Sequence, residues 1–154
     1  METIEHLKHL FEYDDWANQR TIAAMDINGS YRSRRILAHI LITRQEYLER
    51  LGCKDSTGFD FWPVLDLEDC KKLARTLRED YRLLLKDLNE SDLDRKAKYK
   101  TSEGVLHENT YRELLTHVLH HSSIHRGNIV LKMREEGLEP PKVDYIVYLR
   151  ETRM

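Results

Sequence analysis

The stretch of residues 110–137, TYRELLTHVLHHSSIHRGNIVLKMREEG, constrains the fold of this chain more than any other. Its histidines His117, His121 and His125 are spaced four residues apart, so on an α-helix they lie along one edge, each one turn above the last. Thr110 and Glu113 have the spacing of a capping box, and the closing glycine with the Pro-Pro pair beyond it is typical of a helix end. The stretch therefore predicts a long helix with an edge of imidazoles.

This edge coincides with the apolar face of the predicted helix. At about 100° per residue, His121 and His125 fall in the middle of the stripe that contains Leu114 and Val118. His117 lies about 40° to one side of His121 and remains within reach of the same face, whereas the histidine at position 120 lies about 100° away and is not expected to take part. A buried edge of several imidazoles favours a bound metal ion, because each unpaired buried nitrogen would cost about 1–3 kcal/mol. For a lone buried histidine, an ordinary hydrogen-bonded core residue remains the better interpretation.

Three other stretches have helical periodicity, namely residues 4–25, 32–51 and 66–89. Ser30 or Ser33 is placed to cap the second of these helices, and Asp66 the third. Two short runs within residues 96–107 flank a Ser-Glu-Gly turn, which predicts a small β-hairpin at the periphery. A further short segment, residues 143–149, follows the prolines. Four long helices with one small hairpin predict an all-α fold, a four-helix bundle that occupies residues 1–154 as a single domain.

The composition excludes several classes of partner. Lys and Arg number 25 against 27 Asp and Glu, for a net charge of -2. We therefore expect neither a nucleic-acid nor a membrane partner, because both attract strongly basic surfaces. Charges interrupt the N-terminal residues, and no apolar run approaches the roughly 18 residues of a membrane span, so we expect a cytoplasmic protein. Cys53 and Cys70 form no CxxC pair and are expected to be reduced thiols.

A metal site in a helical bundle needs a ligand from a facing helix, because residues on one helix cannot surround an ion. His39 lies beside the apolar stripe of the second predicted helix, and Glu46 follows about 10 Å along the axis on nearly the same meridian. The spacing fits a second interpretation equally well, in which Arg35, His39, Glu46 and Arg50 form one solvated charged face. Residues 52–65 then form a long aromatic loop that either covers a site or packs as a surface cap.

Three elements resemble the DinB/YfiT-like family. They are HVLHHSSIHRG at residues 117–127, WAN at residues 16–18 and SRRILAHI at residues 33–40, and the resemblance covers essentially the whole chain. It implies a bundle with up-down-down-up connections, often a homodimer, that holds one divalent ion through three histidines. Glutamine often follows HRG in the family, and Asn128 stands at that position here.

The resemblance also implies which residues form the site. Carried over position by position, the metal ligands are His39, His121 and His125. His117 matches a histidine that is common one turn earlier, and it is expected to contact a ligand and not the ion. Such a set of neutral imidazoles suits Zn, Ni, Fe or Co better than Mg or Ca, and it leaves one to three coordination positions open.

Three functional hypotheses follow from an open site of this kind. In the first, the ion activates a low-molecular-weight thiol or a water molecule, with Glu46 as general base, which resembles the thiol-dependent S-transferases among DinB-like proteins. In the second, the same ligands serve a metal-dependent hydrolase. In the third, the protein is a non-catalytic stress-response or binding protein with a structural metal. The sequence does not identify a substrate.

Overall fold

The computed structural model describes residues 2–153 of the chain. Its α-helices are α1 Thr3–Asn28, α2 Tyr31–Leu51, α3 Leu67–Asp87, α4 Tyr111–Glu135 and α5 Tyr145–Thr152. Between α3 and α4 lie a 3-10 helix, Glu90–Asp94, and an antiparallel hairpin of β1 Lys96–Lys100 and β2 Leu106–Thr110. In this described part of the chain, none of the helices combines the length and apolar character that crossing a membrane requires.

The four long helices surround one apolar core. α1 packs mainly against α3 and α4, and α2 packs against the same two helices, so the order around the bundle is α1, α3, α2, α4. Large apolar side chains with no exposed surface fill the centre, among them Leu37, Leu41, Leu77, Leu115 and Ile129. Each contributes about 1.5–3 kcal/mol through burial of its apolar surface. The predicted all-α fold, a four-helix bundle with a small hairpin, is confirmed.

Local capping signals determine where most of these helices begin. The side chains of Ser30, Asp66 and Thr110 each accept a hydrogen bond from the backbone amide three residues later, at 3.1, 2.7 and 3.1 Å. The Glu113 carboxylate completes the predicted capping box by accepting from the Thr110 amide at 3.0 Å. Such caps stabilise the first turn because its amides lack partners within the helix. The C-terminal end of α1 differs from the prediction, because the helix continues three residues further and stops at Asn28.

The hairpin contributes to the core instead of lying at the periphery as predicted. Alternate residues of β1 face inward, so Ala97 and Tyr99 are buried. The strand also holds the long loop after α2 in place, since the Ser56 amide donates to the Lys100 carbonyl at 2.8 Å. The hairpin therefore connects the core of the bundle to the loop formed by residues 52–65.

Candidate metal centre

Three histidines from two helices converge at one place. α2 supplies His39, α4 supplies His121 and His125, and one ring nitrogen from each lies within 4.8 Å of the others. The two closest atoms are the Nε2 atoms of His39 and His121, which lie 3.0 Å apart. Nitrogens that share a transition-metal ion at about 2.0–2.1 Å are themselves separated by roughly 3.0–3.4 Å. The donor set and its spacing therefore fit a divalent transition-metal ion.

The loop formed by residues 52–65 orients the His39 ring. The Nδ1–H of His39 donates to the Phe61 carbonyl oxygen at 2.5 Å, so the lone pair of Nε2 is left facing His121. The indole of Trp62 stacks on the same imidazole, with ring centroids 3.7 Å apart and planes inclined by 4°. Partners of this kind select the tautomer and hold the orientation of a ligating histidine. The loop therefore covers His39, one member of the three-histidine group.

Burial keeps the three imidazoles neutral. It lowers the pKa of His39 and of His125 below the ordinary histidine value. The pKa of His121 falls to about 3, first because the ring is buried and then because the other imidazoles face it. Neutral imidazole is the form that binds metals. At neutral pH the three imidazoles are therefore in the protonation state that can bind a metal cation.

The other two histidines of α4 lie outside this group. His117 is exposed, stacks on Tyr47 with centroids 5.0 Å apart, and lies with its ring 5.7 Å from that of His121. Its ring is thus adjacent to that of His121, and its role beside a metal ligand stays a prediction. His120 is exposed on another face of the helix.

Glu46 lies in a separate buried polar cluster. Its Oε1 atom accepts a hydrogen bond from the Ser56 hydroxyl, which in turn accepts from Nε of Arg50 at 3.1 Å. Burial raises the pKa of the Glu46 carboxyl, while the Ser56 hydrogen bond and the Arg50 charge oppose that rise. The carboxylate is not part of the three-histidine group, and its role as general base stays a prediction.

The interpretation of α2 as a solvated charged face is wrong. His39, Glu46 and Arg50 are only 6, 4 and 7% exposed. The half-buried Arg35 donates from Nη2 to the Trp62 carbonyl at 2.8 Å. These polar groups are buried because the loop after α2 folds back over the helix and supplies them with hydrogen-bond partners.

A buried ion network holds α4 against α1. Arg126, the residue after His125, is 2% exposed and donates from Nη1 to Asp14 at 2.6 Å and to Asn18 at 2.9 Å. Arg44 of α2 lies 3.5 Å from the other oxygen of Asp14. None of these residues has a predicted role, although Arg126 and Asn18 belong to the HRG and WAN elements that carry the family resemblance. Charged residues at core positions of facing helices were the signal that would have revealed the network.

Comparison with known proteins agrees with this architecture. A sequence model of the DinB family matches residues 2–154. Protein DinB of Bacillus subtilis (strain 168) is 26% identical over 163 aligned positions, which cover 94% of both chains. The crystal structure of a DinB-like protein from Bacillus cereus ATCC 10987 superposes with a TM-score of 0.70 at 19% identity, covering 93% of this chain and 99% of that one. The chain with this histidine-bearing bundle therefore belongs to the DinB family.

Proposed function

We propose that this protein binds one divalent transition-metal ion through His39, His121 and His125 and acts as a metal-dependent S-transferase on a low-molecular-weight thiol. The observation that carries the proposal is the convergence of three neutral imidazoles from α2 and α4, with two of their Nε2 atoms 3.0 Å apart. Three ligands leave at least one coordination position free, whereas structural sites usually have four protein ligands. A Zn, Ni, Fe or Co ion at this site supplies Lewis acidity that lowers the pKa of a thiol or of water.

The protein's own residues would then bind and orient the thiol. The Phe61 carbonyl and the Trp62 ring hold His39 in one orientation and cover one face of it. Arg35 lies one helical turn before His39, and its Nε is buried without a hydrogen-bond partner among residues 2–153. A guanidinium with an unused donor suits the acidic tail of a small thiol. Glu46 is the candidate general base, since burial makes its carboxylate more basic than usual.

Two alternatives use the same site. A metal-dependent hydrolase would need the same three ligands and would activate water in place of a thiol. A non-catalytic stress-response protein would need a closed site, with His117 or Glu46 as the fourth ligand. Neither residue belongs to the three-histidine group, which favours the open site.

We further propose that the protein is a cytoplasmic homodimer, and sedimentation at several protein concentrations tests its association.

Metal content tests the first step of the proposal. We expect elemental analysis of the untagged protein to find one ion per chain in the wild type. His121→Ala and His39→Ala are expected to lose this ion, and His120→Ala, which removes an exposed imidazole from the same helix, is expected to keep it. Full metal content in His121→Ala, with the fold confirmed by circular dichroism, would exclude the site.

Thiol consumption tests the second step. The metal-loaded wild type is incubated with a small thiol and an electrophilic aryl chloride, and release of chloride is followed as the S–C bond forms. We expect His121→Ala to remove the metal-dependent rate and Glu46→Gln to lower it without loss of the ion. Metal-dependent cleavage of an ester without thiol transfer would support the hydrolase, and bound metal with neither activity would support the structural role.

A further inference from the structure

A cleft of about 480 Å³ lies between α1, α3 and α5. It shares no residue with the three histidines, which project from α2 and α4 on the other side of the bundle. Its volume is within the range of roughly 300–1,000 Å³ that is typical of small-molecule sites. The cleft is therefore a second place at which the protein can hold a ligand.

Aromatic rings form much of the wall of this cleft. Phe11 and Tyr81 stack on each other with centroids 4.8 Å apart, and Trp16 packs against Tyr148 at 5.3 Å. Phe11, Tyr81 and Tyr148 are 2, 1 and 7% exposed and Trp16 is half-buried, so Trp16 is the most accessible of these rings. The surface that they offer is rigid, because aromatic side chains lose little conformational freedom when they pack. An apolar or aromatic ligand body would be desolvated there.

One edge of the cleft is positively charged. Arg78, Arg82 and Lys86 occupy successive turns of α3, four residues apart, and Lys8 of α1 also lines the cleft. Like charges at this spacing on a helix repel one another. Arg82 is paired with the exposed Glu79 and Lys8 with Glu5, whereas Arg78 and Lys86 have no ion-pair partner among residues 2–153.

Two carboxylates also line the cleft, but they do not balance these cations. Asp15 is already paired with the buried Arg44, whose Nη1 donates to it at 2.8 Å. Glu12 is exposed and is then the one carboxylate of the lining that remains to oppose the row of cations. The charge on the walls therefore favours an anionic ligand over a cationic one.

We propose that this cleft is a binding site for a small amphipathic carboxylate, with its apolar body against Phe11, Trp16 and Tyr148 and its carboxylate at the Arg78–Lys86 edge. Binding would relieve the repulsion along α3 and remove the apolar body from water. The site is independent of the proposed metal chemistry, because the two share no residue.

The probe for this proposal is 4-phenylbutanoate, compared with 4-phenylbutan-1-ol and 4-phenylbutylammonium, which carry the same apolar body. Trp62→Phe serves as the background, since it leaves Trp16 as the sole tryptophan of the chain. We expect saturable 1:1 quenching of Trp16 by the carboxylate, at least tenfold tighter than by the alcohol, with no saturation by the ammonium. His121→Ala is expected to leave this affinity unchanged, which separates the result from the fate of the metal proposal.

Matched charge variants test the anionic edge. Arg78→Gln with Lys86→Gln is expected to weaken carboxylate binding at least fivefold. The control, Arg134→Gln with Lys100→Gln, removes the same charge from exposed positions outside the cleft and is expected to change affinity less than twofold. Equal binding of the three probes, or unchanged affinity in the cleft variant, would overturn the proposal. A change in Trp16 emission that follows protein concentration and dimerisation without any probe would assign the cleft to a second copy of the chain instead.

Discussion

Removal of the Asp14 carboxylate is expected to destabilise this bundle more than removal of any surface charge. The side chain is 1% exposed and lies between two buried guanidinium groups. Its Oδ1 accepts from Arg126 at 2.6 Å, and its Oδ2 lies 3.5 Å from Nε of Arg44. In Asp14→Ala, Arg44 keeps Asp15 as a partner, but Arg126 retains only neutral hydrogen-bond acceptors. A buried cation would then lack a counter-charge.

The expected decrease in the free energy of unfolding follows from leaving Arg126 without a counter-charge. Breaking a buried ion pair by removing one partner costs about 3–5 kcal/mol. A domain of this length has a total unfolding free energy on the order of 10 kcal/mol, so a large fraction would disappear. At about 2–4 °C per kcal/mol, the midpoint of thermal unfolding is expected to fall by roughly 6–20 °C. The control Glu79→Ala breaks an exposed pair with Arg82 and is expected to change stability little, because water screens an exposed ion pair.

Urea unfolding followed by circular dichroism measures both variants. Chelator is present throughout, so that bound metal does not add to the stability of the folded state. The combined variant Asp14→Leu with Arg126→Met replaces both members of the pair with apolar groups, and we expect it to recover most of the loss. A cost below about 1 kcal/mol for Asp14→Ala, equal to that of the surface control, would refute the reasoning. A combined variant as unstable as the sum of its single variants would refute it as well.

Two further predictions concern the histidine site. Trp62→Ala removes the ring that stacks on His39 and is expected to weaken metal affinity about tenfold in a competition assay with a chelating dye. Trp62→Phe keeps an aromatic ring at this position and is expected to retain most of the affinity. Equal affinities in the wild type and both variants would contradict this prediction. The metal-free protein is expected to lose stability as the pH falls from about 6.5 towards 4, because His121 stays neutral in the folded state, with a pKa of about 3, while the unfolded chain binds the proton. Allowing for partial exposure of the ring, this loss is on the order of 1 kcal/mol between pH 7 and pH 5, and urea unfolding at pH 7, 6 and 5 measures it. His121→Ala is expected to flatten the slope and His120→Ala to preserve it, so an equal slope in both would contradict the assignment.

Local signals predicted most of the secondary structure. Asp66 and Thr110 cap the helices that they were expected to cap, and of the two candidates Ser30 and Ser33 the cap is Ser30, because a cap depends on residues only three positions apart. Helical periodicity predicted burial less accurately at the edges of an apolar stripe. At about 100° per residue, Ile124 lies only about 60° from His121, yet it is 65% exposed, since a helix alone does not define how far its neighbours extend around it.

By itself, the sequence determined the helices, their order and the edge of α4 that carries His121 and His125, because these depend on spacing within single segments. Only the tertiary structure decided between a buried and a solvated histidine at position 39. Its partner carbonyl, at Phe61, lies 22 positions away, and the facing His121 lies 82 positions away. The Asp14–Arg126 pair spans 112 positions. Burial and charge pairing between distant segments exist only once the helices have packed, and periodicity within one segment carries no information about them.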